Sequence, residues 1–521
     1  MRKLPIGIQN FEEIRNNGYL YVDKTEYIYD LVHNGKPYFL SRPRRFGKSL
    51  LLSTFKAYWE GRKELFKGLS IEKLEKDNPE AWQEYPVFYF DFNRDSFKED
   101  DALELILEEH LSEWEIKYEL NQKELPQPER FRHIIKKAYE TTGRQVVVLV
   151  DEYDKPLLEV MSDDNLEEHN KEVFKGFFST LKSYDEYLKF VFLTGVTKFS
   201  KVSIFSDLNQ LKDISLSNDY SAICGITEEE MLTSFSPEIE ELAETNDMSV
   251  DECVDKLRQT YDGYHFSKNS VGVYNPFSLI NAFSDRDFSA YWFSTGTPTF
   301  LLKKLKEINF DAKRFTGDEV YADEQTLTDS RGDNPDPIPL FYQTGYLTIK
   351  GYDKKFESYQ LGYPNNEVKY GFIRSLAPMY LHRENDTPLD IRNFGRDIEN
   401  ANLDSLRDRF MELFARLPYA DDEKYVERDF QNVIYIVFML LGQFVHTEIH
   451  TSRGRADCVV EADDYIYLFE FKRDKTADEA LDQIEDKGYM DAYAADKRRR
   501  IKIGVNFDSK KRTIEEWKTS E

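Results

Sequence analysis

The sequence predicts a multidomain α/β protein: a parallel sheet wrapped by helices, then a helical and winged-helix-like middle, then a smaller mixed α/β domain. Three observations predict it. Short β-rich apolar runs alternate with helical segments through the first 230 residues, the pattern of a parallel sheet with crossover helices. A hairpin between two helical stretches follows the Asp/Gly/Pro-rich segment 330–339, the order of a winged helix. The last hundred residues read as helix, strand, strand, strand, helix, strand. At 521 residues the chain is too long for one core and divides into three or four domains.

In chain order, the first apolar runs are Tyr38 to Leu40, Val87 to Phe92, Val146 to Val150 and Phe190 to Thr194, with a weaker fifth at Ala222 to Ile226. They are bounded by connections long enough for helices, so residues 1–227 form the parallel-sheet core. Residues 228–330 become helical and aromatic. Residues 331–419 hold the winged-helix-like hairpin, with its turn expected near Gly351 to Lys354, and a helical connector from near Asn366. Residues 420–521 form the terminal mixed domain.

Composition narrows the setting. Apolar residues at 40% and charged residues at 32% are globular proportions. The three cysteines, Cys224, Cys253 and Cys458, have no redox or zinc spacing. The longest apolar run, Val433 to Gly442, is half of what a bilayer span needs, and the N-terminus lacks a signal core. These features predict a cytoplasmic protein with no membrane contact. A net charge of −27 excludes general coating of nucleic acid, so any such contact is local. Residues 497–521 are the basic candidate, with nine Lys/Arg against four Asp/Glu, a net of +5.

After the first strand comes SRPRRFGKSLLLST. A bound phosphate needs N–H groups at a helix start, a lysine for its outer oxygens and a hydroxyl for Mg²⁺; Gly47, Lys48 and Ser49 supply that set. The general motif has another glycine six positions before the lysine, where this chain has Arg42. About 100 residues on, VVVLV ends in Asp151 and Glu152, an acid to hold the Mg²⁺ shell and one to polarise water. Thr194 ends the next apolar strand and is placed to sense a terminal phosphate. The expected cofactors are ATP and Mg²⁺.

These phrases, with LPIGIQNFEEIRNNGYLYVDKTEYI, VLVDEYDKPL, FLTGVTKFSKVSIFSDLNQL, YDGYHFS and YNPFSLINAF, resemble the AAA-ATPase-like domain found in many bacterial proteins, over residues 4 to 300. That family reads RPRRFGKS at the loop, so Arg42 agrees with it. The resemblance implies a P-loop NTPase fold, nucleotide binding and a relation to signal-transducing ATPases.

Near the C-terminus, Asp457 starts one strand of SRGRADCVVEADDYIYLFEFKRDK, and Glu470 and Lys472 lie thirteen and fifteen residues later on the next. Alternate strand residues share a face, and hairpin pairing brings Asp457 alongside. Two carboxylates and an ammonium suit metal-assisted phosphodiester hydrolysis. The text YVERDFQNVIYIVFMLLG, SRGRADCVV, YLFEFKRDKTADEALDQIEDKGY and IGVNF resembles the PD-(D/E)XK nuclease superfamily, in the group fused behind AAA-ATPase-like domains. That resemblance implies a restriction-endonuclease-like core, Mg²⁺ or Mn²⁺ held by Asp457 and Glu470, a helix-borne carboxylate at Glu427, and Gln483 as a supporting residue. Ala456 stands where the superfamily has proline. His446 and His450 flank Glu448 on one strand face, without the makings of a zinc site.

Two functions compete. One is an ATP-regulated, metal-dependent nuclease acting on DNA or RNA, DNA being favoured, with the winged-helix and basic C-terminal surfaces engaging the substrate. The other is a nucleotide-dependent switch or scaffold that binds nucleic acid or a partner protein without cutting. Homo-oligomerisation is compatible with both.

Overall fold

The computed structural model describes residues 2–93, 96–161, 163–198, 211–294, 301, 305, 320–328, 336–381, 391–415, 423–442, 446–449, 457–511 and 513–521; at 294, 379–381, 423–429, 431 and 446–449 only the backbone is described. The chain forms two compact units, 1–296 with 321–367, and 297–320 with 368–521. Within the segment 228–330, residues 228–294 fall in the same compact unit as the parallel sheet.

In the first unit, β1 (Pro37–Ser41), β2 (Val87–Asp91), β3 (Val146–Asp151), β4 (Leu188–Gly195) and β5 (Lys212–Asp213) form one sheet in the order β2-β3-β4-β1-β5, with every pairing parallel. Every residue of β3 is buried, as expected of a strand covered on both faces. One cover is aromatic: Phe90 packs edge-on against Trp114, Phe131 and Phe177 from the surrounding helices. The fifth strand is not Ala222 to Ile226. That stretch is mostly turn, and its end joins a small antiparallel pair, β6 (Ile226–Thr227) with β7 (Val273–Tyr274). Two residues at 212–213 pair with β1 instead, too short a strand to leave a hydrophobic signature.

The helical segment after β6 carries clear start signals. Thr227 with Glu230, and Ser249 with Glu252, form reciprocal capping boxes at two helix starts. Its core joins Met231, Leu242, Leu257 and Phe283. The hairpin follows as expected after the helix Ile338–Thr344, with β9 (Thr348–Asp353) and β10 (Ser358–Gly362) antiparallel, and β8 (Val320–Ala322) as a third strand. Its turn falls at 354–357, slightly later than expected, because the Asp353 carboxylate accepts the N–H groups of Lys355 and Phe356 and sets the reversal there.

The second unit holds a mixed sheet, β11 (His446–Ile449), β12 (Cys458–Glu461), β13 (Tyr465–Arg473), β14 (Arg499–Asp508) and β15 (Thr513–Ser520), in that order. Only β13 and β14 pair in parallel. β15 is a further strand beyond the expected order. The alternation of β13 is legible on both faces. Phe469 meets Phe438 of the helix Glu423–Leu441, whereas Leu468 packs with Ile484 of the helix Ala477–Asp486. The apolar run Val433 to Leu441 is buried throughout. Among the described residues, no helix is long and apolar enough to cross a membrane.

Candidate nucleotide and metal sites

The loop between β1 and the helix Lys48–Trp59 turns on Gly47, whose φ of 94° lies in the left-handed region. Lys48 is 4% exposed, and its Nζ donates to the carbonyls of Arg42 and Pro43 at 3.0 and 3.1 Å. The ammonium is thereby folded over its own loop. Arg42, in place of the expected glycine, is buried. Its guanidinium donates to the carbonyls of Ser41, Ser215 and Tyr220 and lies 4.1 Å over the Phe266 ring. Burial depresses its pKa. The arginine thus braces the loop against 215–220 and against YDGYHF, the motif that also presents Tyr264 to Phe46.

Asp151 is 2% exposed at the end of β3. Thr194 donates to its Oδ1 at 2.8 Å, Tyr89 to its Oδ2 at 3.3 Å, and the Ser49 hydroxyl also hydrogen-bonds to it. Burial raises its pKa, and the Ser49 and Thr194 hydrogen bonds oppose that shift. Thr194 itself is fully buried, behind Asp151, and so positions the carboxylate. Glu152 has φ of 50°. This left-handed conformation is uncommon for residues other than glycine, and Glu152 lines a cleft of about 370 Å³ shared with Arg44, Lys48, Ser49 and Lys155. Sequence reasoning missed Asp154. Buried, it accepts the N–H groups of Val196 and Thr197 and the Thr197 hydroxyl, tying the exit of β3 to that of β4. The repeated acid in DEYD was the available signal. The Ser49 and Asp151 oxygens would suit a divalent cation, and the N–H groups at the helix start would suit an anion.

In the second unit, Asp457 immediately precedes β12. Cys458 pairs with Phe469, which sets Asp457 beside Glu470. Phe471 N–H donates to Asp457 Oδ2 at 2.9 Å. Glu470 is 2% exposed. Its Oε1 accepts Lys472 Nζ at 2.8 Å and also Gln483 Nε2, while Lys472 donates to Gln483 Oε1 at 2.5 Å. Glu470 Oε2 is buried without a hydrogen bond of normal geometry, while the Asp457 backbone N–H also acts on the carboxylate. A carboxylate oxygen so placed is costly, and beside a second carboxylate it fits a divalent cation. Burial, then the charge of Asp457, raises the Glu470 pKa, and Lys472 and the Asp457 N–H lower it.

Glu427 falls on the helix Glu423–Leu441, but its side chain lies outside the described residues, as do those of His446 and Glu448; His450 lies wholly outside them. Among the described residues no three or more His, Cys, Asp or Glu side chains converge, and Asp457 and Glu470 are the two described carboxylates that meet here. The basic stretch at the C-terminus is largely neutralised by neighbours. Arg498 pairs with Glu461 and Asp496, Lys502 with Glu485, Lys511 with Glu515 and Lys518 with Asp478. Apart from Glu515, those acids lie outside 497–521, on β12, on the helix Ala477–Asp486 and just before β14, so counting within the stretch left them out.

Comparison with known proteins agrees with this division. Residues 5–205 match the model for a predicted AAA-ATPase, and residues 425–517 match that for the PD-(D/E)XK nuclease superfamily. An uncharacterized protein in the vnfD 5′ region of Azotobacter chroococcum mcd 1 is 36% identical over 528 residues, covering 98% of each chain.

Proposed function

Because the chain belongs to the family of predicted AAA-ATPases that end in a PD-(D/E)XK nuclease superfamily domain, we propose that it is an ATP-regulated nuclease acting on DNA or RNA, with DNA favoured. Gly47, Lys48, Ser49 and Asp151 hold ATP with Mg²⁺, Thr194 orients Asp151, and Glu152 orients the attacking water. Asp457 and Glu470 hold Mg²⁺ or Mn²⁺ at the cutting site, with Glu427 as a further ligand. A divalent metal bound there supplies a Lewis acid and lowers the pKa of bound water. Lys472 places positive charge beside the scissile phosphate, and Gln483 fixes Lys472 and Glu470 against each other. The four segments 1–227, 228–330, 331–419 and 420–521 would serve as nucleotide core, lid, wing and nuclease.

The observation that carries this reading is Glu470 Oε2, buried beside Asp457 and Lys472 without a normal hydrogen bond. The test is a cleavage assay on linear, circular and single-stranded substrates with Mg²⁺ or Mn²⁺, with and without ATP. Cleavage that depends on metal, changes with ATP and disappears in the folded Asp457→Ala/Glu470→Ala variant is expected. No cleavage across the panel would favour the non-cutting switch.

A further inference from the structure

The cleft at the phosphate loop holds more positive charge than the loop lysine supplies. Arg44 and Arg45 form the crown of the loop, and both line the cleft with Lys48, Glu152 and Lys155. Their circumstances differ. Arg45 has φ of 69° and rests its guanidinium 4.9 Å over the Phe277 ring. Lys155 is held 3.8 Å from Glu159. Arg44 is anchored only through its main chain, whose carbonyl accepts Trp292 Nε1–H at 3.2 Å. Among the described residues its guanidinium makes no hydrogen bond or ion pair within the chain. Arg42, by contrast, is consumed in bracing the loop. One half-exposed cationic arginine is therefore available four residues before Lys48, in the same cleft as Glu152.

We propose that Arg44 is a catalytic residue that supplies, from within the same chain, the positive charge many P-loop hydrolases receive from a neighbouring subunit. This rests on the reading of the cleft as an ATP site. In the step, water oxygen bonds to the γ-phosphorus and the bond from that phosphorus to the β,γ-bridging oxygen breaks. ADP departs with the bridging oxygen and its electron pair, and a water proton is released. Glu152 orients the water. Arg44 donates N–H hydrogen bonds to the γ and bridging oxygens, where charge develops, and transfers no proton. The loop N–H groups and Lys48 grip the phosphates equally before and during the step, so Arg44 acts on rate and they act on binding.

The experiment uses the full-length protein with Mg²⁺ and ATP. Arg44→Ala should lower kcat on the order of 10³-fold while keeping the ATP-induced thermal shift and changing KM by less than about threefold. Arg44→Lys should restore only part of the rate, because an ammonium lacks the planar fork. The wild-type specific activity should be constant on dilution. Wild-type turnover by Arg44→Ala overturns the proposal. So does hydrolysis restored by mixing Arg44→Ala with Lys48→Ala protein, since that requires an arginine acting across chains. A wild type that binds ATP without hydrolysing it also overturns it. Absence of any ATP-induced shift in the wild type would instead remove the ATP site itself.

Discussion

Both candidate sites set a buried carboxylate near a lysine, yet they engage the lysine differently. Lys48 is folded onto main-chain carbonyls, and Asp151 takes its hydrogen bonds from hydroxyls. Lys472 is bonded directly to Glu470 and to Gln483. The first site sits at the start of a twelve-residue helix, whose N–H groups and dipole favour an anion. The second lies on a sheet face, where no such N–H array exists. There it is the carboxylates that would hold a cation on the proposed reading, with Glu470 Oε2 buried and without a normal hydrogen bond. On the proposed reading, phosphate would be approached in one case as an anion by backbone and in the other through a metal held by side chains.

The contrast can be broken first where the effect is largest. Glu152→Gln should keep ATP binding and lose hydrolysis by about 10³-fold, because the groups that bind phosphate remain; equal turnover rates would remove Glu152 from the chemistry. Next, Lys472→Ala should cut phosphodiester hydrolysis by about 100-fold with little change in Mn²⁺ affinity measured by calorimetry. A parallel loss of metal affinity would show that Lys472 holds the ligands in place instead.

Lys48→Ala should abolish the thermal stabilisation by ATP, worth about 2.7 kcal/mol at one hundred times Kd. An unchanged shift would detach nucleotide binding from the loop.

The smallest effect concerns pH. Burial raises the Glu470 pKa, so the folded state holds this proton at pH values where the unfolded chain has released it. Its contribution to stability is fully present below the ordinary carboxylate pKa and is lost as pH rises through the elevated one. The melting-temperature advantage of metal-free Glu470→Gln over wild type should therefore grow from acid toward neutral pH, by a few degrees, and shrink when Mg²⁺ is added to the wild type. A pH-independent difference would mean that Glu470 does not titrate abnormally.

Much of each site was legible because it depends on local periodicity. Alternation along YLFEFKR put Glu470 and Lys472 on one face, and the single-residue offset of Asp457 from β12 put it with them. Gly47, Lys48, Ser49, Asp151 and Glu152 were legible because a loop, a helix start and a strand end have compositions of their own. Thr194 was less legible, since its hydroxyl is engaged by Asp151, a partner 43 residues away.

By itself, then, the sequence determined the two sheets, the order of their motifs and which side chains share a strand face, since these follow from the pleat and the helical turn. Only the tertiary structure decided that Lys212–Asp213 edges the first sheet, that Arg42 reaches across to Tyr220 and Phe266, that the basic C-terminal charges meet acids such as Glu461 and Glu485, and that one Glu470 oxygen is left without a normal hydrogen bond. Each of these depends on which distant residue arrives as a neighbour, and hydrogen-bond satisfaction in a buried site is a property of that assembled neighbourhood rather than of any local run of chain.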